Sequence, residues 1–336
     1  SDKIGTRCLY STLVSEFLRS LLENVGSEEG KSFMERLVQD RFVQRSVKVV
    51  YDAAQNLGVS NQVARGCELL MGLVACIAKP LWKAWKYNQN PELVSSGDMN
   101  FPLVLCELSD EDLEHLMELV DSNNLLPPAV RTNAVIFLEQ IVRIDSVFEK
   151  LRSRRDFLML LLNVCRDGKE DKCNVAGWRT FYNLVQHHGK TFIGWASKNG
   201  QLMPFADLIS VGSHHNALAN ALHAFTKIFN MPYVVPKLKK LGHRRENILQ
   251  KKLEKCSRRI VEAFVSKHFF IKVHMITTSV FENRKGRVFQ ELVHFYQAIS
   301  WTPCCKILRK DIRKDADYKD MMDRLLEKYP APENLM

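Results

Sequence analysis

Apolar residues recur along most of the chain at the three- and four-residue spacing of an amphipathic helix, and strand-like alternation is scarce. The first apolar stripe runs from Leu9 to Leu21, and the second runs from Phe33 to about Ala54. The pattern predicts an all-α protein with on the order of fifteen helices. Further helices are predicted near 62–79, 113–120, 129–143, 154–165, 174–187, 201–211, 215–229, 245–268, 286–299 and 316–328.

The start of one helix is marked by charge. Three acidic residues follow Ser109, directly before the apolar positions Leu113 and Leu116. Carboxylates in the first helical turn interact favourably with the helix dipole. We therefore expect an acidic helix near 107–121, and this helix is a candidate surface for recognising a protein partner.

The most apolar helical segments also recur at a regular interval. Segments 63–74, 130–142, 175–185 and 217–229 begin 67, 45 and 42 residues apart. A loop at 87–102 accounts for the longest interval. The remaining period of roughly 40–47 residues is typical of helical-repeat arrays. Segment 105–230 thus resembles degenerate armadillo/HEAT-type repeats, which implies an elongated α-solenoid of stacked helical hairpins or triplets; a compact irregular helical domain is the alternative.

Charge divides the 336-residue chain into two regions. Residues 1–236 contain 25 Lys and Arg against 26 Asp and Glu, whereas residues 237–336 contain 23 against 12. The net charge of +10 therefore arises entirely in the last hundred residues. We predict a near-neutral helical-repeat region at 1–236 and a basic C-terminal region at 237–336 that continues the same solenoid.

Most of this charge lies on one predicted helix. Over 244–268 the apolar positions fall on one face and the basic positions lie opposite, with few acids to neutralise them. This pattern predicts a surface for the DNA or RNA backbone or for an acidic protein. Its residues are Lys237, Lys239, Lys240, Arg244, Arg245, Lys251, Lys252, Lys255, Arg258 and Arg259, with Arg284, Lys285 and Arg287 as possible extensions. The alternative is that this helix face is only solvated and binds no partner. Membrane binding is disfavoured because the apolar stripe is needed for packing.

No motif of a known catalytic or phosphate-binding site is present in the sequence, so we predict a non-enzyme without cofactor or small-molecule substrate. A zinc site could be imagined from Cys165, Cys173, His187 and His188, but their spacing lacks the short knuckles of structural zinc sites, and no metal is predicted.

Three other groups have simpler structural explanations. Cys304 and Cys305 fit a packed loop better than a redox pair, and His214 and His215 follow Ser213, a candidate N-cap. A set of large side chains has helical spacing and is predicted to be mostly core, with one or two members available to line a partner groove. These are Trp178, Phe181, Tyr182, Phe192, Trp195 and Phe205.

Nine cysteines without a disulfide framework and the absence of a signal-peptide pattern favour an intracellular protein. The basic C-terminal region favours the nucleus over the cytoplasm. The hypothesis is a scaffold or adaptor subunit that binds one or more protein subunits in a multi-subunit, nuclear assembly. In this hypothesis its basic surface contacts nucleic acid or an acidic partner. The alternative is a cytosolic protein–protein adaptor or regulatory subunit with no nucleic-acid contact.

Overall fold

The computed structural model describes ten stretches of the chain, and these contain helices and short turns with no strand. They are residues 28–55, 60–78, 106–121, 126–154, 156–166, 171–198, 202–209, 214–230, 269–280 and 286–301, with a few positions between 319 and 327. The prediction of an all-α fold is confirmed. No helix in these stretches is both long and apolar enough to span a bilayer.

The helices described are numbered here in chain order. They are α1 (Glu28–Gln39), α2 (Phe42–Ala54), α3 (Asn61–Ala78), α4 (Asp110–Val120), α5 (Pro128–Ile141), α6 (Asp145–Ser153), α7 (Phe157–Arg166), α8 (Asp171–Lys198), α9 (Met203–Asp207), α10 (His215–Asn230), α11 (Phe269–Val280) and α12 (Arg287–Trp301). They belong to two compact units, Ser1–Thr180 and Phe181–Met336, and the boundary between these units falls within the sequence of α8. The predicted division at 236/237 remains a prediction.

In the first unit, the helix pair α2–α3 packs against the following pair α4–α5. The first helices of the two pairs contact each other, α2 with α4, and so do the second helices, α3 with α5. The Gln44 amide donates to the Glu107 carbonyl at 2.8 Å, and the Gln55 amide donates to the Glu118 carboxylate at 3.0 Å. Both pairs are separated by 63 residues, so α2 and α4 run parallel in register. Parallel packing of equivalent helices from successive pairs is what a helical-repeat array requires. The continuation of this packing into an elongated solenoid remains a prediction.

The core of this first stack is made of the apolar stripes that the sequence predicts. Each fully buried Val, Leu or Phe stabilises the fold by about 1.5–3 kcal/mol relative to exposure. Side chains that are fully buried include Val47 and Val50 on α2, Met71 and Val74 on α3, Leu113 and Leu116 on α4, and Val135 and Phe137 on α5.

The predicted continuous helix from Phe33 to Ala54 is wrong in one respect, because the structure contains two helices, α1 and α2. Between them Arg41 adopts a left-handed conformation with φ of 49°. A non-glycine residue rarely takes this conformation, and no Gly or Pro signals the break. The side chain of Arg41 reaches to 3.7 Å from the Asp112 carboxylate on α4.

Helix α6 is absent from the sequence prediction, which places no helix between 143 and 154. It is short, and it buries only Val147, Phe148 and Leu151. Near the C-terminal end of α6, Lys150 donates to the Leu108 carbonyl at 2.6 Å, and Arg154 donates to the Asp110 carbonyl at 2.6 Å. These two bonds fix α6 beside the start of α4.

In the second unit, α10 and α12 run parallel and form the most extensive helix contact described. Arg287 donates to Asn220 at 2.7 Å, and the Phe229 and Phe295 rings lie 5.6 Å apart edge to face. A second aromatic group centres on Phe181, whose ring contacts those of Phe192, Phe205 and Phe225.

The prediction that the large side chains near 178–205 are mostly core is confirmed. Trp178, Phe181, Phe192 and Phe205 are buried, whereas Tyr182 and Trp195 are half-buried. Helix α8 extends beyond the predicted end at 187, and its backbone bends at His188, where φ is −116° and ψ is 19°.

Candidate partner-binding surfaces

The predicted acidic helix is present as α4, and its first turn is built as a capping box. Ser109 Oγ accepts from the Asp112 amide at 3.1 Å, and Asp112 Oδ2 accepts from the Ser109 amide at 3.0 Å. Two of the amides that a helix start leaves without partners are thereby satisfied. This fixes where the helix begins and therefore which way its acidic side chains face.

Exposed carboxylates share one face of α4 and the turn before it. At 100° per residue the four that belong to α4 lie within about 100° of arc, and the fifth precedes the helix. This set, called the acidic ridge, is Glu107, Asp110, Glu111, Glu114 and Glu118.

Only part of the acidic ridge is neutralised by the described residues around it. Arg154 Nη2 lies 3.9 Å from Glu114 Oε2, and the Gln55 amide donates to Glu118. The Glu111 side chain is 76% exposed and lies 4.0 Å from His115 Nε2. The ridge can therefore accept further cations or hydrogen-bond donors from a partner.

Behind the ridge, Tyr51 of α2 stacks on His115 of α4. Their ring centroids are 4.1 Å apart at an interplanar angle of 24°. Burial raises the pKa of the Tyr51 hydroxyl, and the nearby Glu118 and Glu114 carboxylates raise it further because they disfavour a phenolate.

The second unit has a polar surface where α10 meets α12. Glu291 Oε2 accepts from His223 Nδ1 at 2.7 Å and lies 3.8 Å from His294 Nδ1. The ring of Tyr182 meets His223 edge to face at 4.6 Å. The sequence analysis did not single out these residues, although a glutamate at 291 within the apolar repeat of α12 is a signal that could have done so.

The basic residues predicted to bind a polyanion, from Lys237 through Arg259, all lie outside the described residues. The same is true of Arg284 and Lys285. Arg287 is described, and it donates to Asn220. Cys304 and Cys305 also lie outside the described residues.

The start of α10 has a cap that the sequence did not predict. The backbone amide of Asn216 donates to His214 Nδ1 at 3.3 Å. The predicted cap, Ser213, lies outside the described residues. The Ser213 cap therefore stays a prediction, and His214 is the described residue that accepts a hydrogen bond from the first turn of α10.

The cysteines imagined as zinc ligands are buried in the structure. Cys165 and Cys173 are 3% and 0% exposed, and burial together with the nearby Cys173 raises the pKa of Cys165 well above its usual range. Across the described stretches, no three His, Cys, Asp or Glu side chains are grouped as metal ligands. The absence of a metal from the whole chain remains a prediction.

Comparison with known proteins gives a match over nearly the whole sequence. The family model described as the ScaA C-terminal domain matches residues 3–322. The chain belongs to this family. The match covers most of both compact units described above.

A curated relative of this ScaA C-terminal domain is the Sca1 complex scaffold protein scaA of Dictyostelium discoideum. It is 30% identical over 221 residues, which is 63% of this chain and 14% of that protein. The chain thus spans a small part of the length of this relative. A crystal structure of an engineered protein aligns with 96% of this chain and with 80% of the engineered chain, at 13% sequence identity. The TM-score of 0.33 is too low for this likeness to bear on the fold. Membership of the armadillo/HEAT superfamily remains a prediction.

Proposed function

We propose that this chain is a non-enzymatic scaffold or adaptor domain that binds protein partners within a multi-subunit assembly. The observation that carries the proposal is its 30% identity to a protein named as the scaffold of the Sca1 complex, together with its match to the family model of that protein's C-terminal domain. Stacked helices suit this role because they present extended side-chain surfaces on a rigid framework.

The acidic ridge is the surface that we assign to partner binding in the first unit. Its carboxylates project from a capped helix whose position is fixed by Gln44, Lys150 and Arg154. A partner with Lys or Arg residues at matching positions would gain from the exposed charges, and such contacts favour specificity and rapid association. The proposed partner at this surface is therefore a basic protein segment.

Charge reversal of the ridge tests the proposal. The E111K/E114K variant should lose partners that co-purify with the wild-type chain, because two exposed attractive charges become repulsive. The E35K/E327K variant is the matched control, since it makes the same charge change at exposed carboxylates elsewhere. Equal recovery of all partners by both variants would count against the acidic ridge.

A second candidate function rests on the charge asymmetry of the sequence: contact with DNA, RNA or an acidic protein through the basic segment 237–272, in a nuclear assembly. The excess of 12 Lys and Arg over 3 Asp and Glu in this segment supports it. Electrostatic binding to nucleic acid should weaken steeply as salt increases. A duplex-DNA titration comparing wild type with K251E/K255E/R258E/R259E tests it, and the absence of salt-dependent binding would favour the cytosolic adaptor without nucleic-acid contact.

A further inference from the structure

Two rows of opposite charge lie side by side on the surface of the first unit. One is the part of the acidic ridge at the start of α4, and its members are Glu107, Asp110 and Glu111. The other, called the basic row, consists of exposed cations on α2 at spacings of four and three residues, which place them within about 60° of arc. Its members are Arg41, Arg45 and Lys48.

The parallel packing of α2 and α4 brings the two rows to the same height. Gln44 contacts Glu107 and Gln55 contacts Glu118, so each residue of α2 lies level with the residue of α4 that is 63 positions later. By this register Lys48 lies level with Glu111, and Arg45 lies within one position of the level of Glu107. The basic row and the start of the acidic ridge therefore follow the same stretch of the two helices.

Most of these charges are available to a partner, as far as the described residues show. Within that part of the chain, nothing pairs with the Arg45 guanidinium or with the carboxylates of Glu107 and Asp110. The Glu111 side chain is 76% exposed and has only His115 Nε2 near it, at 4.0 Å. Arg45 points away from α4 because it lies about 100° around α2 from its neighbour Gln44, which faces α4.

The exposed acids farther along the two helices already have cations of their own. Lys48 Nζ lies 3.1 Å from Asp52 Oδ1, and Arg154 Nη2 lies 3.9 Å from Glu114 Oε2. Lys48 stays 54% exposed in this pair, so it can contact a second carboxylate. The charges that seek a partner are thus concentrated where the two rows lie side by side.

We propose that the two rows form the interface of a homodimer, in which α2 of each copy lies over α4 of the other. This rests on the proposed partner binding by the acidic ridge, and it names the basic segment as α2 of a second copy. A two-fold axis along the groove between α2 and α4, parallel to both helices, produces this arrangement. Such an axis keeps every residue at its own level, so Lys48 lies over Glu111 of the second copy and Arg45 lies over Glu107.

The charge pattern selects a second copy over partners of a single sign. A segment that is basic throughout would meet like charge from Arg45 and Lys48. An acidic segment or a nucleic acid would meet like charge from Glu107 and Glu111. The occupant must carry cations and carboxylates in adjacent rows at the same height and in exchanged order. A copy related by a two-fold axis has this pattern by symmetry, and each of its contacts occurs twice.

Sedimentation velocity of the full chain at low salt tests the proposal with two charge-reversal variants. We expect the wild type to form a dimer that weakens as salt is added, because exposed ion pairs are screened. R45E/K48E and E107K/E111K should each raise the dissociation constant about tenfold or more, since each reverses contacts that occur twice. An equimolar mixture of the two variants should recover the dimer, because cations again face carboxylates in both halves of the interface.

The R36E/R65E and E35K/E327K variants make matched charge changes at other exposed positions and should dimerise as the wild type does. Recovery of the dimer in the mixture would also show that both interface variants are folded. Three outcomes would overturn the proposal: a wild type that stays monomeric at high micromolar concentration, a mixture that stays monomeric, or an equal loss of dimer in either control. A monomeric wild type whose co-purifying partners are lost in E111K/E114K would overturn the homodimer alone and leave the partner-binding role of the acidic ridge standing, so the two failures are distinguishable.

Discussion

Tyr51 and His115 stack in parallel at 4.1 Å, joining α2 to α4 directly behind the acidic ridge. The two residues are 64 positions apart, within one residue of the 63 that separates Gln44 from Glu107 and Gln55 from Glu118, so all three contacts fit the same parallel alignment of the two helices. A slip of either helix would break all three contacts together. This alignment holds the carboxylates of the ridge in a fixed array.

Tyr51 should report on the charge of the ridge through its own ionisation. Its pKa is raised from 10.0 by burial first and then by Glu118 and Glu114. The E118Q variant should lower this pKa, because it removes a negative charge that opposes the phenolate. Ultraviolet titration of the tyrosines, compared with a Y51F variant to identify the Tyr51 component, measures the shift.

The same shift has a consequence for stability at high pH. Because folding raises the pKa of Tyr51, the unfolded chain loses this proton first. The stabilising contribution is complete below pH 10 and is lost as the pH rises through the folded value. Wild type should therefore lose more stability than Y51F on alkaline titration, and parallel curves for the two proteins would contradict the assignment.

The capping box at Ser109 should stabilise the first unit measurably. Replacement by alanine removes the acceptor for the Asp112 amide and should cost about 1 kcal/mol in the free energy of unfolding. The S60A variant is the matched control, because Ser60 Oγ accepts from the Val63 amide at the longer distance of 3.4 Å at an exposed helix start. Urea denaturation compares them, and an equal loss in both would show that the box adds nothing.

Helical periodicity predicted the buried faces of α3, α5 and α10 because each has enough apolar positions to define a stripe. It also predicted the start of α4, where Ser109 and its acids form a local signal. Periodicity could not predict the break at Arg41, since the left-handed residue there is not a glycine and its conformation depends on the surrounding helices.

The polar surface of the second unit was missed for a different reason. His223 and Glu291 are 68 residues apart, and neither residue alone differs from an ordinary helix surface position. Their pairing depends on the parallel packing of α10 on α12, which is a long-range property of the fold. The acidic ridge could be predicted because four of its five members lie close together on one helix and the fifth comes just before it.

The buried cysteines should be poorly reactive in the folded protein. Burial raises the pKa of Cys106 above its usual range, and burial with Cys173 does the same for Cys165. The thiolate is the reactive form, so iodoacetamide at pH 8 should modify these two slowly until the chain unfolds. Peptide mass spectrometry measures the extent, with the half-buried Cys76 as the internal comparison. Labelling of Cys106 and Cys165 as fast as Cys76 in the native state would contradict their burial.

Two helical glycines should respond to alanine substitution with opposite signs. At Gly177 of α8 an added Cβ would lie 2.7 Å from Val164 Cγ1 and 3.3 Å from Cys165 Sγ on α7. Relief of that overlap requires the two helices to separate or Val164 to change rotamer, so G177A should destabilise the protein by about 1–3 kcal/mol. At Gly66 of α3 an added Cβ meets no atom within 4 Å.

Because alanine is the better helix former at an unobstructed position, G66A should instead stabilise the protein by about 0.5–1 kcal/mol. Both substitutions add one methyl group to a helix, so their difference isolates the close approach of α7 to α8 from helix propensity. Urea denaturation with a common m-value measures both. Stabilisation of G177A to the same extent as G66A would mean that α7 and α8 do not approach closely at this glycine.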